Sequence, residues 1–140
     1  MQIATYQSRN FTGVEALWEE VFPDDPPWNA ASIAIPEKLK QQPDLIILVL
    51  DGQKVVGSIL AGYDGHRGWL YALAVLGAYR GRDIGTKLVA EAERRLAALG
   101  CQKVNLQVRA TNAGVIRFYE RLGYAVEDRV SMGKRTGAQS

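Results

Sequence analysis

The chain has 140 residues, of which 47% are hydrophobic and 23% charged, with a formal net charge of +2. This suits one folded domain with its own core and excludes a disordered chain. A single cysteine, Cys101, excludes an internal disulfide and suits a reducing compartment, so a cytoplasmic location is expected. Basic residues alternate with acids and form no basic–aromatic stripe, so neither nucleic acid nor a membrane surface is an expected partner. No apolar run reaches membrane length, and the opening MQIATYQSRNF has no leader-like pattern.

In chain order, residues 2–5 read as a short strand. Thr12 and Glu15 have capping-box spacing, and Val14, Leu17, Trp18 and Val21 repeat at helical intervals, which predicts a helix over 13–21. Pro23, Pro26 and Pro27 end it, and residues 22–43 read as irregular with one short helix near Glu37. LIILVL (45–50), Asp51-Gly52 and KVVGSILAG (54–62) predict a β-hairpin. YDGHRG leads into another strand, WLYALAV (69–75). After the octet AYRGRDIG (78–85), an apolar stripe through Ile84, Leu88, Ala92, Leu96 and Leu99 predicts a long helix stopped at Gly100. A strand over 103–109, a short helix through Val115, Phe118, Tyr119 and Leu122, and a last strand in AVEDRVSM complete the series. The closing TGAQS is expected to fray. The hairpin together with strand–helix–strand units predicts an α/β sandwich around a mixed sheet rather than a doubly wound dinucleotide fold.

The octet joins a strand to a helix N-terminus, where the first N–H groups lack intrahelical partners and the helix dipole favours an anion. Gly81 and Gly85 permit close backbone approach, and Arg80 and Arg82 add charge. A phosphate or pyrophosphate is the natural guest, although an ordinary turn would also use such glycines. The octet has neither the Gly-Lys-Ser/Thr ending of nucleotide hydrolases nor the glycine spacing of the dinucleotide fingerprint.

LAVLGAYRGRDIGTKLV resembles the acetyl-CoA-binding motif of the GCN5-related N-acetyltransferase (GNAT) family, in which Arg/Gln, two residues, Gly, one residue and Gly/Ala follow in order. Arg80 matches the first position and Gly85 the last, while Asp83 stands where the family has its middle glycine. RATNAGVIRFYERLGY (109–124) resembles the family's second signature, with Asn112 opening a helix and Tyr119 two turns on. The resemblance runs from Ile3 to about Met132. Within the family the chain looks most like the bacterial YpeA-like acetyltransferases, and VRATN…FYERLGY is also similar to ribosomal-protein alanine acetyltransferases.

The resemblance implies a three-layer α/β/α GNAT-like sandwich with a splayed mixed sheet, forming one domain over residues 1–140. It implies acetyl-CoA as cosubstrate and no metal. The pyrophosphate would rest on Arg80, Gly81, Arg82, Asp83, Ile84, Gly85 and Thr86, the pantetheine arm near Asn112, and the thioester carbonyl near main-chain N–H groups of Leu73 to Val75. Tyr119 would be the general acid toward the departing thiolate. Expected acceptors are a small amine or a peptide amine, and a homodimer is left open. Gln107 replaces a glutamate of the ribosomal-protein enzymes, so Glu19, Glu20, Asp24, Asp25, Asp64 and His66 remain as candidate bases, and Pro26, Pro27 and Trp28 as an acceptor rim. Alternatives are another acyl-CoA or acceptor, or a non-catalytic CoA-binding module.

Overall fold

The computed structural model describes residues 1–137, so the last three residues of the TGAQS tail lie outside it. The chain divides into two compact units, Met1–Gln107 and the segment from Val108 onward.

The first unit is built on five strands in the order β1-β2-β3-β4-β5: β1 (Gln2–Thr5), β2 (Ile46–Asp51), β3 (Lys54–Tyr63), β4 (Gly68–Val75) and β5 (Val104–Leu106). The first four pair antiparallel, and β5 runs parallel to β4. The mixed sheet expected from the sequence is therefore present. Its helices are α1 (Phe11–Val21), α2 (Ala31–Leu39) and α3 (Ile84–Ala98). Val14, Leu17 and Trp18 of α1 and Ala31 and Ile35 of α2 pack with Ile46, Leu48, Leu50 and Leu60, which line one face of the sheet. The alternate residues of β2, Ile47 and Val49, are also buried and belong to the opposite face. There α3 contributes Leu88, Val89, Ala92 and Leu96, all nearly free of solvent. A strand buried on both faces reads as a continuous apolar run, which is why LIILVL shows no alternation.

The N-terminus of α3 sits close on β3 because Gly57 has no side chain. A Cβ there would come within 2.9 Å of Ile84 Cγ2 and 3.0 Å of Leu88 Cδ1. Arg95 ties the same helix to the rest of the unit by donating to Thr5 Oγ1 at 2.9 Å and the Asp44 carbonyl at 2.8 Å. Glu91 holds that guanidinium at 2.7 Å and also pairs with Arg94.

The second unit contains α4 (Ala113–Arg121). Asn112 is its N-cap, its side chain accepting from the Val115 N–H at 3.3 Å. The helix closes with Gly123 at φ +97°, whose N–H meets the Glu120 carbonyl while the Tyr124 N–H meets that of Tyr119. This paired closure is the reason for the Leu-Gly-Tyr sequence at that point.

Four expectations change. Helix α1 begins at Phe11 with Asn10 as its N-cap, so Thr12 and Glu15 lie inside the helix, and the capping box belongs instead to Gln7 and Asn10 of the preceding 3-10 turn. The short helix near Glu37 is the whole of α2, which tolerates Pro36 in its interior. The strand expected over 103–109 is only Val104–Leu106. The segment AVEDRVSM forms no strand among the described residues: Val126, Val130 and Met132 are exposed, and no ladder of backbone hydrogen bonds satisfies them. Alternation alone makes no strand when no neighbour pairs with it.

Candidate active site

Strand β4 is irregular at its centre. Ser58 of β3 pairs with Ala74 and Leu60 with Tyr71, so the register slips between them. The extra residue is absorbed at Ala72, whose φ of +52° lies in the left-handed region that alanine disfavours. Ser58 braces the kink. Its wholly buried hydroxyl donates to the Ala72 carbonyl at 3.0 Å and accepts from the Trp18 indole N–H at 2.9 Å. These two hydrogen bonds link α1, β3 and β4 through Ser58. Ser58 is not among the residues that the motifs of the sequence single out. Its signal was a lone hydroxyl in an apolar strand, which must find a partner when buried.

The parallel pairing of β4 with β5 covers only Gly68–Leu70 opposite Val104–Leu106. Beyond Leu70, β4 continues through Leu73 to Val75 with no β5 residue paired to it. β5 ends at Leu106, so this edge of β4 is left without a β5 ladder.

The octet follows directly. Residues Gly77–Tyr79 form a 3-10 turn closed by Arg80, and the chain then enters α3 through two left-handed residues. Gly81 has φ +81° with nothing within 4 Å of a would-be Cβ, so its glycine answers to the backbone angle and not to crowding. Asp83, the N-cap of α3, has φ +60° and ψ +20°. It therefore adopts the conformation a glycine would take most easily, one that aspartate tolerates better than most residues. Its side chain makes no capping hydrogen bond. The Lys87 N–H is already bound to the Asp83 carbonyl at 3.0 Å, so the N–H groups of Ile84, Gly85 and Thr86 are the helix's unmatched donors.

Arg80, Gly81, Arg82 and Asp83 are exposed, and Ile84 is buried as the anchor beneath them. Arg82 lies over the Tyr79 ring, 5.0 Å from its centroid, and the Tyr79 hydroxyl donates to Asp51 at 2.6 Å. That hydrogen bond raises the Tyr79 pKa. The loop is thus fastened to the β2–β3 hairpin.

The candidate bases separate. Glu20 accepts the Gly77 N–H at 2.9 Å, so this carboxylate holds the turn before the loop. Asp64 accepts from the N–H groups of Arg67 and His66 at 2.7 and 2.8 Å, which lowers its pKa and weakens it as a base. Both Asp64 and His66 lie at the β3–β4 turn, the end of β4 opposite the octet. Glu19, Asp25, Pro26 and Pro27 line a groove of about 300 Å³ with Glu15, Trp18 and Phe22, whereas Trp28 and Asp24 are exposed and stand outside its lining.

In the second unit, Asn112 is spent on capping α4. Tyr119 is buried between two edge-on rings, Phe118 at 5.1 Å and Tyr124 at 5.5 Å. Burial pushes its hydroxyl up to about 12. Among the described residues no group of three or more His, Cys, Asp or Glu side chains could hold a metal ion, and no helix is long and apolar enough to cross a membrane.

Residues 8–124, a span that includes parts of both units, match the model of the Acetyltransferase (GNAT) family. An acetyltransferase of Sodalis glossinidius is 44% identical over 138 residues, covering 96% of this chain and 95% of the relative. Among solved structures, the PaiA N-acetyltransferase of Thermoplasma acidophilum in complex with coenzyme A has a TM-score of 0.81 at 18% identity, covering 92% of each chain. An aminoglycoside N-acetyltransferase in complex with CoA has a TM-score of 0.77 at 19% identity, covering 96% of this chain and 93% of the other. The two solved structures share the fold. The matched model and the Sodalis relative extend that likeness to nearly the whole sequence, and the chain belongs to the acetyltransferase (GNAT) family.

Proposed function

We propose that the protein transfers an acetyl group from acetyl-CoA to a primary amine by direct attack, as a single acetyltransferase domain working in the cytoplasm. The observation that carries this reading is the uncapped N-terminus of α3, entered through left-handed Gly81 and Asp83 just after the kinked strand β4. The Ile84, Gly85 and Thr86 N–H groups supply the donors a pyrophosphate needs, and the open space at Gly81 lets an anion approach the backbone. Arg80 and Arg82 add charge at the rim. When bound, acetyl-CoA supplies the acetyl thioester.

Main-chain N–H groups between Leu73 and Val75, freed from a β5 ladder, are the donors proposed for the thioester carbonyl oxygen. Tyr119 is the proton donor proposed for the departing sulfur. At about 12 its hydroxyl keeps its proton across the neutral range. A phenol so held is a weaker acid than an ordinary thiol at about 8.5, so the proton it gives to sulfur must be replaced by the one the attacking amine gives up. Cys101 suits no covalent step. It follows α3, roughly 22 Å from that helix's N-terminus at a rise of about 1.5 Å per residue. There its Sγ donates to the Lys103 carbonyl at 3.3 Å and fills the space beside Gly68.

Calorimetric titration with acetyl-CoA and desulfo-CoA, followed by an amine screen for thiol release, tests the reading. Micromolar binding with amine-dependent release is expected. Binding without release under any amine leaves a CoA-binding module, and no binding by either ligand overturns the proposal.

A further inference from the structure

Outside the groups already assigned, Lys38 is a cation in a partly enclosed place with no counter-ion among the described residues. Lys38 lies on the last turn of α2 and is half-buried. Its ammonium makes no hydrogen bond or ion pair among the described residues. The neighbouring carboxylate, Glu37, is taken by Lys40 at 2.9 Å. The ammonium lies instead above Gly62 of β3, 3.5 Å from where a Cβ would stand, and the Tyr71 ring borders the same space at 3.6 Å.

Gln42 forms a third wall at 3.8 Å, fixed by accepting the Tyr63 N–H at 2.9 Å and donating to the Tyr63 carbonyl at 3.2 Å. The Tyr71 hydroxyl also lacks a hydrogen-bond partner among the described residues. The carboxylate nearest in charge to Tyr71 is Asp64, already committed to the His66 and Arg67 N–H groups. At Gly62 the Lys38 ammonium thus meets the edge of the Tyr71 ring, and Tyr71 itself is 51% exposed, so an anion can reach the pair from solvent.

We propose that Lys38 and Tyr71 form an anion subsite that receives a carboxylate of the acceptor, so that the protein acetylates carboxylate-bearing amines. The inference rests on the acetyl-transfer reading above. A partly desolvated cation without a partner is a standing cost that a bound anion offsets, and burial does lower the Lys38 pKa. Tyr71 immediately precedes the kinked Ala72, so the subsite adjoins the segment proposed to face the thioester. One ammonium and one hydroxyl match a monoanionic carboxylate. A phosphate dianion would call for more positive charge.

The test compares amines that differ only in the anion: L-lysine against 1,5-diaminopentane, and L-phenylalanine against its amide, with ethanolamine phosphate as the phosphate arm. The expected result is kcat/KM about tenfold or more higher for the carboxylate member of each pair, the scale of a charge-assisted hydrogen bond. Lys38→Gln should bring that ratio close to one while leaving the carboxylate-free member unchanged, and Tyr71→Phe should lower it less. Equal rates in the wild-type protein, a ratio that survives Lys38→Gln, or preference for the phosphate arm would each overturn the proposal. If no amine is acetylated, calorimetric titration of the same pairs decides: carboxylate-selective binding that is lost in Lys38→Gln upholds the subsite, and unselective binding or none overturns it. Failure of acetyl-CoA to bind, by contrast, strikes the acetyl-transfer reading alone.

Discussion

Asp83 shows how a single residue can depart from a family pattern and still keep the backbone the pattern serves. Its main chain takes the left-handed conformation, so the α3 donors are presented as a glycine would present them. The cost is a carboxylate close to the proposed phosphates, a repulsion on the order of 1 kcal/mol in a solvent-exposed setting. Asp83→Gly should therefore tighten acetyl-CoA binding several-fold, and unchanged affinity by calorimetry would mean that the carboxylate does not feel the ligand. Arg80→Ala should weaken the same binding, again by several-fold. Tyr119→Phe should lower kcat about 100-fold at nearly unchanged affinity, the usual scale of a positioned proton donor. Because Tyr119 keeps its proton to about 12, the wild-type rate should show no alkaline loss from this group below pH 10.

Among the elements, β4 and α3 do most to place the proposed site. The kink at Ala72 survives because Ser58 and Trp18 complete its hydrogen bonds. Ser58→Ala would strand a buried indole N–H and a backbone carbonyl, at a cost of about 1–3 kcal/mol. Urea denaturation should show a lower midpoint with an unchanged slope, and an unmoved midpoint would remove Ser58 from the brace. Gly57→Ala should act on α3, because the new methyl presses on Ile84 and Leu88 beneath the loop. Overpacking of this kind costs about 1–3 kcal/mol. Weaker acetyl-CoA binding, measured where the variant remains folded, is the expected sign that the helix start has shifted.

For the whole molecule, the network of Thr5, Asp44, Arg95, Glu91 and Arg94 makes acid stability a readable property. Hydrogen bonding from Arg94, with that from Arg95, holds the Glu91 carboxyl at about 2, against an ordinary 4.5. The unfolded chain takes up this proton first as pH falls. The stabilisation is thus full above about pH 4.5 and is lost as pH falls towards 2. Discounted for the exposed Arg94 side, it amounts to about 1–2 kcal/mol. Glu91→Gln should lower Tm at pH 7 and flatten the dependence of stability on pH between 5 and 2, and parallel acid profiles for the two proteins would contradict this.

The sequence by itself determined the elements whose causes are local or periodic. The apolar run 45–50 and the Asp51-Gly52 turn specify the hairpin, the stripe from Ile84 to Leu96 specifies α3, and the glycine–arginine octet and the Asn112–Tyr119 spacing mark the segments expected to carry function. Only the tertiary structure decided the features that depend on distant partners. Ala72 carries no local sign of a left-handed angle, because Ser58 and Trp18 impose it from other elements. Pro36 argues locally against the helix that Ala31 and Ile35 form by burying themselves on the sheet. AVEDRVSM has the alternation of a strand but no ladder to join, and Glu20, an open candidate base in the sequence, is claimed by the Gly77 N–H. Hydrogen bonds and burial across long stretches of chain cost or release as much free energy as local propensity does, so they settle the positions where the two disagree.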